Sequence, residues 1–249
     1  MTLAAFEELD YSLSPLGELI LRRREVLSLD RAEVFEVKLD GEFLMSSIVN
    51  DAEIALADLA LPLAACDRCD VLVGGLGLGY TAKAALDAKN VATVTVVEYL
   101  ERVISWHQRE LVPLGRELVH DARCRFVHGD FFAVVGSPGG PAPQAEPEGA
   151  VADLTSRQFH AILLDIDHSP QCLLHARHGA FYTRDGFRRS TERLHSGGVF
   201  ALWSADPPEE QLLKGLGGAF AEVQVRESKF YNPLLDLHDV NYIVMARRA

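Results

Sequence analysis

Residues 71–79 read Val-Leu-Val-Gly-Gly-Leu-Gly-Leu-Gly, a strand-forming run that passes directly into a glycine-rich turn. A helix-compatible run, Tyr80 to Leu86, follows at once. Glycines at Gly75, Gly77 and Gly79 let a ligand approach the backbone closely and leave free N–H groups at the start of the helix. A strand, a glycine turn and a helix in this order predict a site for a cofactor that contains a nucleoside.

The next strand pattern, Val94 to Val97, ends at Glu98, nineteen residues after Gly79. An acidic side chain at that place can accept hydrogen bonds from ribose hydroxyls. A solvated charge at a strand end is the alternative. The spacing from the glycine turn favours ribose binding.

Composition restricts the classes of function. The 249 residues carry 24 Lys and Arg against 36 Asp and Glu, a net charge of −12 that repels phosphate backbones and anionic membranes. No apolar stretch reaches membrane-spanning length, and the start, Met1 to Glu8, lacks the basic residues of a secretion signal. We therefore expect a cytoplasmic protein that binds neither nucleic acid nor membrane.

The cysteines offer a weak metal or redox signal. Cys66 and Cys69 have C-x-x-C spacing, whereas Cys124 and Cys172 stand alone. No second close pair completes a zinc set, and the histidines show no metal-ligand spacing. Ordinary reduced cysteines and no metal site are therefore expected.

Residues 1–50 predict a small N-terminal β domain. Three candidate strands lie at Glu18 to Arg22, Val34 to Leu39 and Glu42 to Met45, and Asp40-Gly41 between the last two is a strong hairpin signal. We expect a small antiparallel sheet here.

Residues 51–249 predict a doubly wound, Rossmann-like α/β domain with a mostly parallel sheet and an antiparallel last strand. An Ala- and Leu-rich helix over 51–63 leads into it, and a Gly- and Pro-rich segment over 136–149 reads as a flexible insertion. The predicted strands after Val94 to Val97 are Arg125 to Val127, His160 to Leu164, Gly198 to Trp203, Glu222 to Glu227 and Asn241 to Ala246.

Ligands of open α/β sheets bind beyond the carboxyl ends of the strands. Asp130 follows the third strand, where it can contact a base or simply cap a turn. Asp165, Asp167 and His168 follow the apolar fourth strand. A carboxyl group beside apolar walls can have a raised pKa and act as a base, so these three residues are the catalytic candidates. A capping Asp with a surface His is the alternative.

Together these residues resemble the spermidine synthase family of polyamine aminopropyltransferases, within the class I AdoMet-dependent methyltransferase fold, from about Leu39 to about Trp203. The segments that carry the resemblance are Leu39-Asp40-Gly41, Val71 to Gly79, Val96-Val97-Glu98, Gly129-Asp130, Ile162 to Asp165, Phe181-Tyr182 and Leu194 to Val199.

The resemblance implies a catalytic Asp165, a ribose-binding Glu98 and an adenine-contacting Asp130. It implies AdoMet, decarboxylated AdoMet or methylthioadenosine as ligand, aminopropyl or methyl transfer to an unknown acceptor such as an amine, and a homodimer. Two positions depart from the family. Gly77 stands where the family has an Asp that grips the aminopropyl ammonium, and Ile54-Ala55-Leu56 replaces a polar amine-binding cluster.

Two other classes of function remain open. Gly77 to Ala82 fits the dinucleotide pattern of an NAD-dependent oxidoreductase, although the closing strands lack the second mononucleotide-binding half. Loss of the amine ligands would also suit a non-catalytic nucleoside-binding module or dimer scaffold.

Overall fold

The computed structural model describes residues 6–136 and 150–249. Apart from Gly136, the predicted flexible insertion lies outside the described residues. The strands are β1 (Phe6–Ser14), β2 (Gly17–Val26), β3 (Ala32–Leu39), β4 (Glu42–Ser46), β5 (Cys69–Gly74), β6 (Val91–Glu98), β7 (Cys124–His128), β8 (Phe159–Leu164), β9 (Leu194–Ser204), β10 (Glu222–Asn232) and β11 (Leu237–Arg247). The helices are α1 (Asp51–Ala60), α2 (Tyr80–Asp87), α3 (Glu101–Gln108), α4 (Gly115–His120), α5 (Phe131–Val134), α6 (Ala150–Thr155), α7 (Arg184–Glu192) and α8 (Glu210–Gly217). Within these ranges no helix has the length and apolar character needed to cross a membrane.

The strands form two sheets. The larger has seven strands in the order β10-β11-β9-β8-β5-β6-β7, and the smaller has four in the order β1-β2-β3-β4. Strands β9, β8, β5, β6 and β7 run parallel, whereas β11 is antiparallel to β9 and to β10. The predicted α/β fold with an antiparallel last strand is confirmed. Because the chain winds outward in both directions from β5 and β8, ligands are expected where these two strands end.

Strand β5 lies between β8 and β6 in the larger sheet, and both of its faces are covered. Val71, Leu72 and Val73 have no exposed surface, as expected for a parallel strand packed on both sides. Val71 and Val73 share one core with Leu19 and Leu21 of the small sheet. The two sheets therefore pack against each other through a common apolar core.

The small sheet has one strand more than the sequence predicted. The Asp40-Gly41 hairpin is confirmed, with φ of 49° at Asp40 and 84° at Gly41. Strand β1 was not foreseen because most of its residues are exposed or half-buried and show no clean alternation. Its pairing with β2 runs from Phe6 opposite Arg24 to Ser14 opposite Gly17.

The cysteine prediction was wrong for one pair. Cys66 and Cys69 form a disulfide immediately before and at the start of β5, while Cys124 and Cys172 are free. The close spacing lets both side chains meet where the loop turns into the strand. In the described part of the chain no three His, Cys, Asp or Glu side chains come together in a way that could hold a metal ion.

Candidate active site

The glycine turn is a left-handed loop pressed against the end of β8. Gly75, Gly77 and Gly79 have φ of 93°, 49° and 95°, a region that side-chain-bearing residues rarely adopt. A Cβ on Gly75 would collide with the backbone carbonyl oxygen of Asp165. The turn therefore needs glycine both for its backbone conformation and for its contact with β8.

His107 of α3 contacts the glycine turn. Its buried Nε2 lies 2.9 Å from the carbonyl oxygen of Gly77. Burial lowers the pKa of His107 to about 4, so the ring is neutral at physiological pH and can donate an Nε2 proton to that carbonyl. Sequence analysis did not single out this residue, because a histidine inside an amphipathic helix carries no local signal of function.

Glu98 lies where the sequence placed it, at the end of β6. One carboxylate oxygen accepts the backbone N–H of Leu76 at 2.9 Å, and the other accepts that of Leu100 at 2.7 Å. Burial raises the pKa of Glu98, and these N–H groups act in the opposite direction. Glu98 thereby ties the glycine turn to β6. Its contact with ribose remains a prediction.

A cavity that is partly open to solvent lies between the glycine turn and the loops after β6, β7 and β8. We name it the Glu98 cavity; its lining includes Gly75, Glu98, Tyr99, Asp130, Phe132 and His178. Asp130 caps α5 by accepting the N–H of Phe132 at 2.8 Å, and burial raises its pKa. The base-contacting role predicted for Asp130 also remains a prediction.

A second cavity, also partly open to solvent, adjoins the first. We name it the Trp203 cavity; its lining includes Glu53, Tyr80, His168, Trp203, Asn232 and Asn241. The two cavities share part of their walls, formed by Leu44, Met45, Gly77, Asp165 and Ile166. Asp165 is the ionisable residue among these five described lining residues, so it borders both spaces.

Asp165 is held in place by Thr81 of α2, whose hydroxyl donates to its Oδ2 at 2.6 Å. Burial raises the pKa of Asp165 to about 6, although the hydroxyl acts to lower it. A carboxyl group with such a pKa can take up a proton near neutral pH, which suits a general base.

Glu53 is the functional candidate that sequence analysis missed. It lies in the first turn of α1, and its pKa is raised to about 8 by burial and then by the negative charge of Asp165. The resemblance drew attention to the apolar run Ile54-Ala55-Leu56, and Glu53 directly precedes that run. Its position next to this run, where the sequence differs from the family, was the one sequence feature that could have pointed to Glu53. Only the fold shows that Glu53 lies beside Asp165.

Asp167 and His168 have separate environments. Asp167 is 3 % exposed and lines neither cavity. It accepts the backbone N–H of Leu174, the Nδ1 proton of His178 and the hydroxyl of Tyr182. His168 lines the Trp203 cavity, with its ring edge-on to Trp203. The structure thus brings Asp165 and His168 to one cavity, whereas Asp167, in the same loop after β8, is enclosed by protein donors.

Gly77 lies under Met45, which reaches over from the small sheet. A Cβ at Gly77 would lie 2.8 Å from both the Sδ and the Cε of Met45. An aspartate would therefore fit at position 77 only if Met45 moved. At the position where the resemblance implies an Asp, this chain has Gly77, and the apolar side chain of Met45 occupies the space beside it.

No protein-family model matches the sequence, and no curated protein matches it. Among solved structures, spermidine synthase from Thermotoga maritima has a TM-score of 0.69 and 16% identity, covering 97% of this chain and 73% of that one. A spermidine synthase in complex with the transition-state analogue AdoDATO has a TM-score of 0.70 and 16% identity, with coverage of 97% and 74%. A probable spermidine synthase from Corynebacterium glutamicum has a TM-score of 0.59 and 17% identity, with coverage of 99% and 81%.

These comparisons define the fold. The chain has a spermidine-synthase-like, class I methyltransferase fold, and the resemblance predicted from the sequence is confirmed at that level. At such low identity the likeness carries over no residue roles, which have to be argued from the site itself.

Proposed function

We propose that this chain is an aminopropyltransferase-like enzyme that transfers a group from a sulfonium nucleoside, decarboxylated AdoMet, to an amine. The observation that carries the proposal is the position of Asp165 in the wall between two cavities. The Glu98 cavity would hold the donor and the Trp203 cavity the acceptor.

The charge of the site supports a cationic donor. The described residues that line the two cavities include the carboxyl groups of Glu53, Glu98, Asp130 and Asp165 but no Lys or Arg. A sulfonium nucleoside without a carboxylate suits such surroundings better than AdoMet, whose carboxylate would find no cationic side chain there. The solved relative in complex with AdoDATO supports the same class of ligand.

The reaction requires alignment and one base. The lone pair of the acceptor nitrogen attacks the carbon beside the sulfonium, the carbon–sulfur bond breaks, and its electron pair stays on sulfur as a thioether. The nitrogen then gives up a proton to Asp165. Because the sulfonium is already a good leaving group, the chain contributes mainly orientation of the two reactants and this proton acceptor. Glu53 lies beside Asp165, and a cationic acceptor bound there would favour the ionised form of its carboxyl group, which is otherwise protonated near neutral pH.

Methyl transfer from AdoMet is the second candidate, and one observation favours it. Where the family grips the aminopropyl ammonium with an Asp, this chain has Gly77 covered by the thioether of Met45. That arrangement provides no negative charge for the ammonium at this point.

Product analysis separates the candidates. The protein is incubated with decarboxylated AdoMet or with AdoMet and a panel of amines, and the nucleoside products are identified by mass spectrometry. Release of methylthioadenosine from decarboxylated AdoMet supports aminopropyl transfer, whereas S-adenosylhomocysteine from AdoMet supports methyl transfer. Calorimetric binding of NAD without binding of either donor or of methylthioadenosine would support the oxidoreductase. Binding without turnover of any amine would support the non-catalytic module.

A further inference from the structure

The acidic groups of the Trp203 cavity lie together on the side that adjoins the Glu98 cavity. Among the described lining residues, the acidic ones are Glu53 and Asp165, and Asp165 belongs to the wall that both cavities share. Oγ1 of Thr81 lies 2.6 Å from Oδ2 of Asp165 and 3.3 Å from the backbone oxygen of Glu53. The first turn of α1 and the end of β8 therefore meet at this hydroxyl, and the negative charge of the cavity is confined to this place.

Near neutral pH the pair carries about one negative charge. Burial raises the pKa of Asp165 to about 6, and burial together with the charge of Asp165 raises the pKa of Glu53 to about 8. Asp165 is then mostly ionised and Glu53 mostly protonated. Such a pair matches the charge of a single ammonium group.

From Asp165 the cavity extends across the sheet to the hairpin of β10 and β11. Asp165 follows β8 at the level of Trp203 on β9, and Trp203 pairs with Ile243 of β11. Asn241 lies two residues from Ile243, on the same face of β11. Because neighbouring strands are about 4.8 Å apart, the backbone of Asn241 lies on the order of 10 Å from that of Asp165.

The wall formed by this hairpin is polar and uncharged. Its polar lining residues are Asn232 and Asn241, both half-buried. Oδ1 of Asn232 accepts the backbone N–H of Leu234 at 3.0 Å, whereas none of the hydrogen bonds between described residues involves the side chain of Asn241. An amide can both donate and accept hydrogen bonds, so Asn241 can bind a hydroxyl or a carbonyl group.

An acceptor with two ammonium groups does not suit this distribution of charge. The group that reacts lies at Asp165, and Glu53 lies beside Asp165, so both carboxyl groups are on the same side of the cavity. The second ammonium group would lie near His168, Trp203 and Asn241, whose side chains carry no negative charge. Removing an ammonium group from water without a counter-charge is strongly unfavourable, whereas a hydroxyl group loses little if it pairs with an amide.

We propose that the acceptor is an amine with one positive charge and an uncharged polar group at its other end, as in an amino alcohol, and that Asn241 is the specificity-determining residue that binds this group. The inference rests on the proposed function, because it takes the Trp203 cavity as the acceptor site. It names the class of amine, which the proposed function leaves open.

Steady-state kinetics with three amines that differ at one end test the charge of the acceptor. Diaminobutane, aminobutanol and butylamine, each with its groups at the ends of the chain, are compared with the donor that the product analysis identifies. In the unmodified protein, kcat/KM for aminobutanol should exceed that for diaminobutane by about tenfold or more, and should also exceed that for butylamine, which lacks the hydrogen bond.

Either of two results with the unmodified protein overturns the inference. The highest kcat/KM with diaminobutane would mean that the cavity holds a second ammonium group, for which the indole face of Trp203 is then the available site. Equal values for aminobutanol and butylamine would mean that no polar group is bound at the other end.

Variants of Asn241 test its role. Asn241→Asp supplies a counter-charge, so the preference should move about tenfold toward diaminobutane. Gln211→Glu is the matched control, because it adds the same charge on α8 at an exposed position that lines neither cavity, and its preference should not change. Asn241→Ala gives a second measurement and should bring aminobutanol down toward butylamine. An unchanged preference in both Asn241 variants overturns the assignment of Asn241.

Failure of this inference differs from failure of the proposed function. If no amine is turned over with decarboxylated AdoMet or with AdoMet, the proposed function is wrong and both proposals fall. Turnover that favours diaminobutane leaves the proposed function intact and removes only the inference about the acceptor.

Discussion

At the scale of single residues, the site depends on carboxyl groups whose surroundings differ. Glu98 is tied to backbone N–H groups, Asp167 is enclosed by protein donors, and Asp165 borders both cavities and accepts the hydroxyl of Thr81. All three follow apolar strands, and the sequence located them for that reason. The different surroundings of the three carboxyl groups were not predictable, because their hydrogen-bond partners come from α2 and from the loop after β8, which are distant in sequence.

Asp165→Asn tests the proposed base. The amide keeps the shape and the contact with Thr81 but cannot accept the proton, so we expect turnover to fall roughly 100-fold or more while nucleoside binding stays within about twofold. Steady-state kinetics and calorimetry measure the two quantities. Glu98→Ala is the complementary variant and should weaken nucleoside binding. Full activity in Asp165→Asn with the true acceptor would show that the base lies elsewhere.

Glu53 gives a stability prediction that depends on pH. Its folded-state pKa of about 8 lies above the ordinary value of 4.5, so the folded state holds a proton that the unfolded state has released. Stability should therefore decrease as pH rises through this window. Glu53→Gln removes that loss, and at pH 9 we expect it to be more stable than the unmodified protein by on the order of 2 kcal/mol, or roughly 5 °C in Tm.

The control for this variant is Asp58→Asn, since Asp58 is exposed on the same helix. Thermal melts of all three proteins at pH 4 and pH 9 give the comparison. At pH 4 the Glu53→Gln variant should melt near the unmodified protein, because Glu53 is then mostly protonated in both the folded and the unfolded states. If the Tm difference between Glu53→Gln and the unmodified protein is the same at both pH values, Glu53 does not have the raised pKa that this prediction assumes.

At the scale of elements, the glycine turn between β5 and α2 was the most predictable part of the molecule. Its strand, glycines and helix are consecutive in sequence, so local pattern was sufficient. The meeting of α1 with the end of β8 was not predictable, because Glu53 and Asp165 are far apart along the chain and neither segment carries a pattern that specifies the other. The same reason explains why β1 and the support of the turn by His107 were missed.

Gly75→Ala tests the turn as an element. The new Cβ would strain a backbone with φ of 93° and collide with the carbonyl of Asp165, so we expect a loss of about 2–4 kcal/mol and weaker nucleoside binding. Gly217→Ala is the matched control. Gly217 ends α8 and has no atom within 4 Å of an added Cβ, so its replacement should leave stability unchanged or slightly higher. Denaturant titration measures both; equal stabilities would argue against a packed turn.

At the scale of the whole molecule, polar contacts tie the small sheet to helix α3, and the two sheets also share an apolar core. Asp10 of β1 accepts the indole N–H of Trp106 at 2.8 Å and two N–H groups of Arg102 at 2.6 and 2.9 Å. The Asp10 side chain is 8% exposed, so these bonds are largely shielded from water. The sheets are therefore expected to unfold together.

Asp10→Asn tests this link. Loss of the charge-assisted bonds should lower the free energy of unfolding by about 1–3 kcal/mol. Asp87→Asn removes an exposed ion pair with Lys83 and should cost less than about 1 kcal/mol. In the unmodified protein, tryptophan fluorescence and circular dichroism should report one coincident transition. Two separate transitions would mean that the small sheet folds independently.

The Trp203 cavity draws its walls from residues far apart along the sequence, from Phe43 to Asn241. A growing polypeptide on the ribosome would hold the glycine turn, Glu98 and Asp165 well before the hairpin of β10 and β11 emerged. Until then the space beside Asp165 would lack the side contributed by Asn232 and Asn241. Under the proposed function, a fragment that lacks this hairpin would therefore not consume the donor.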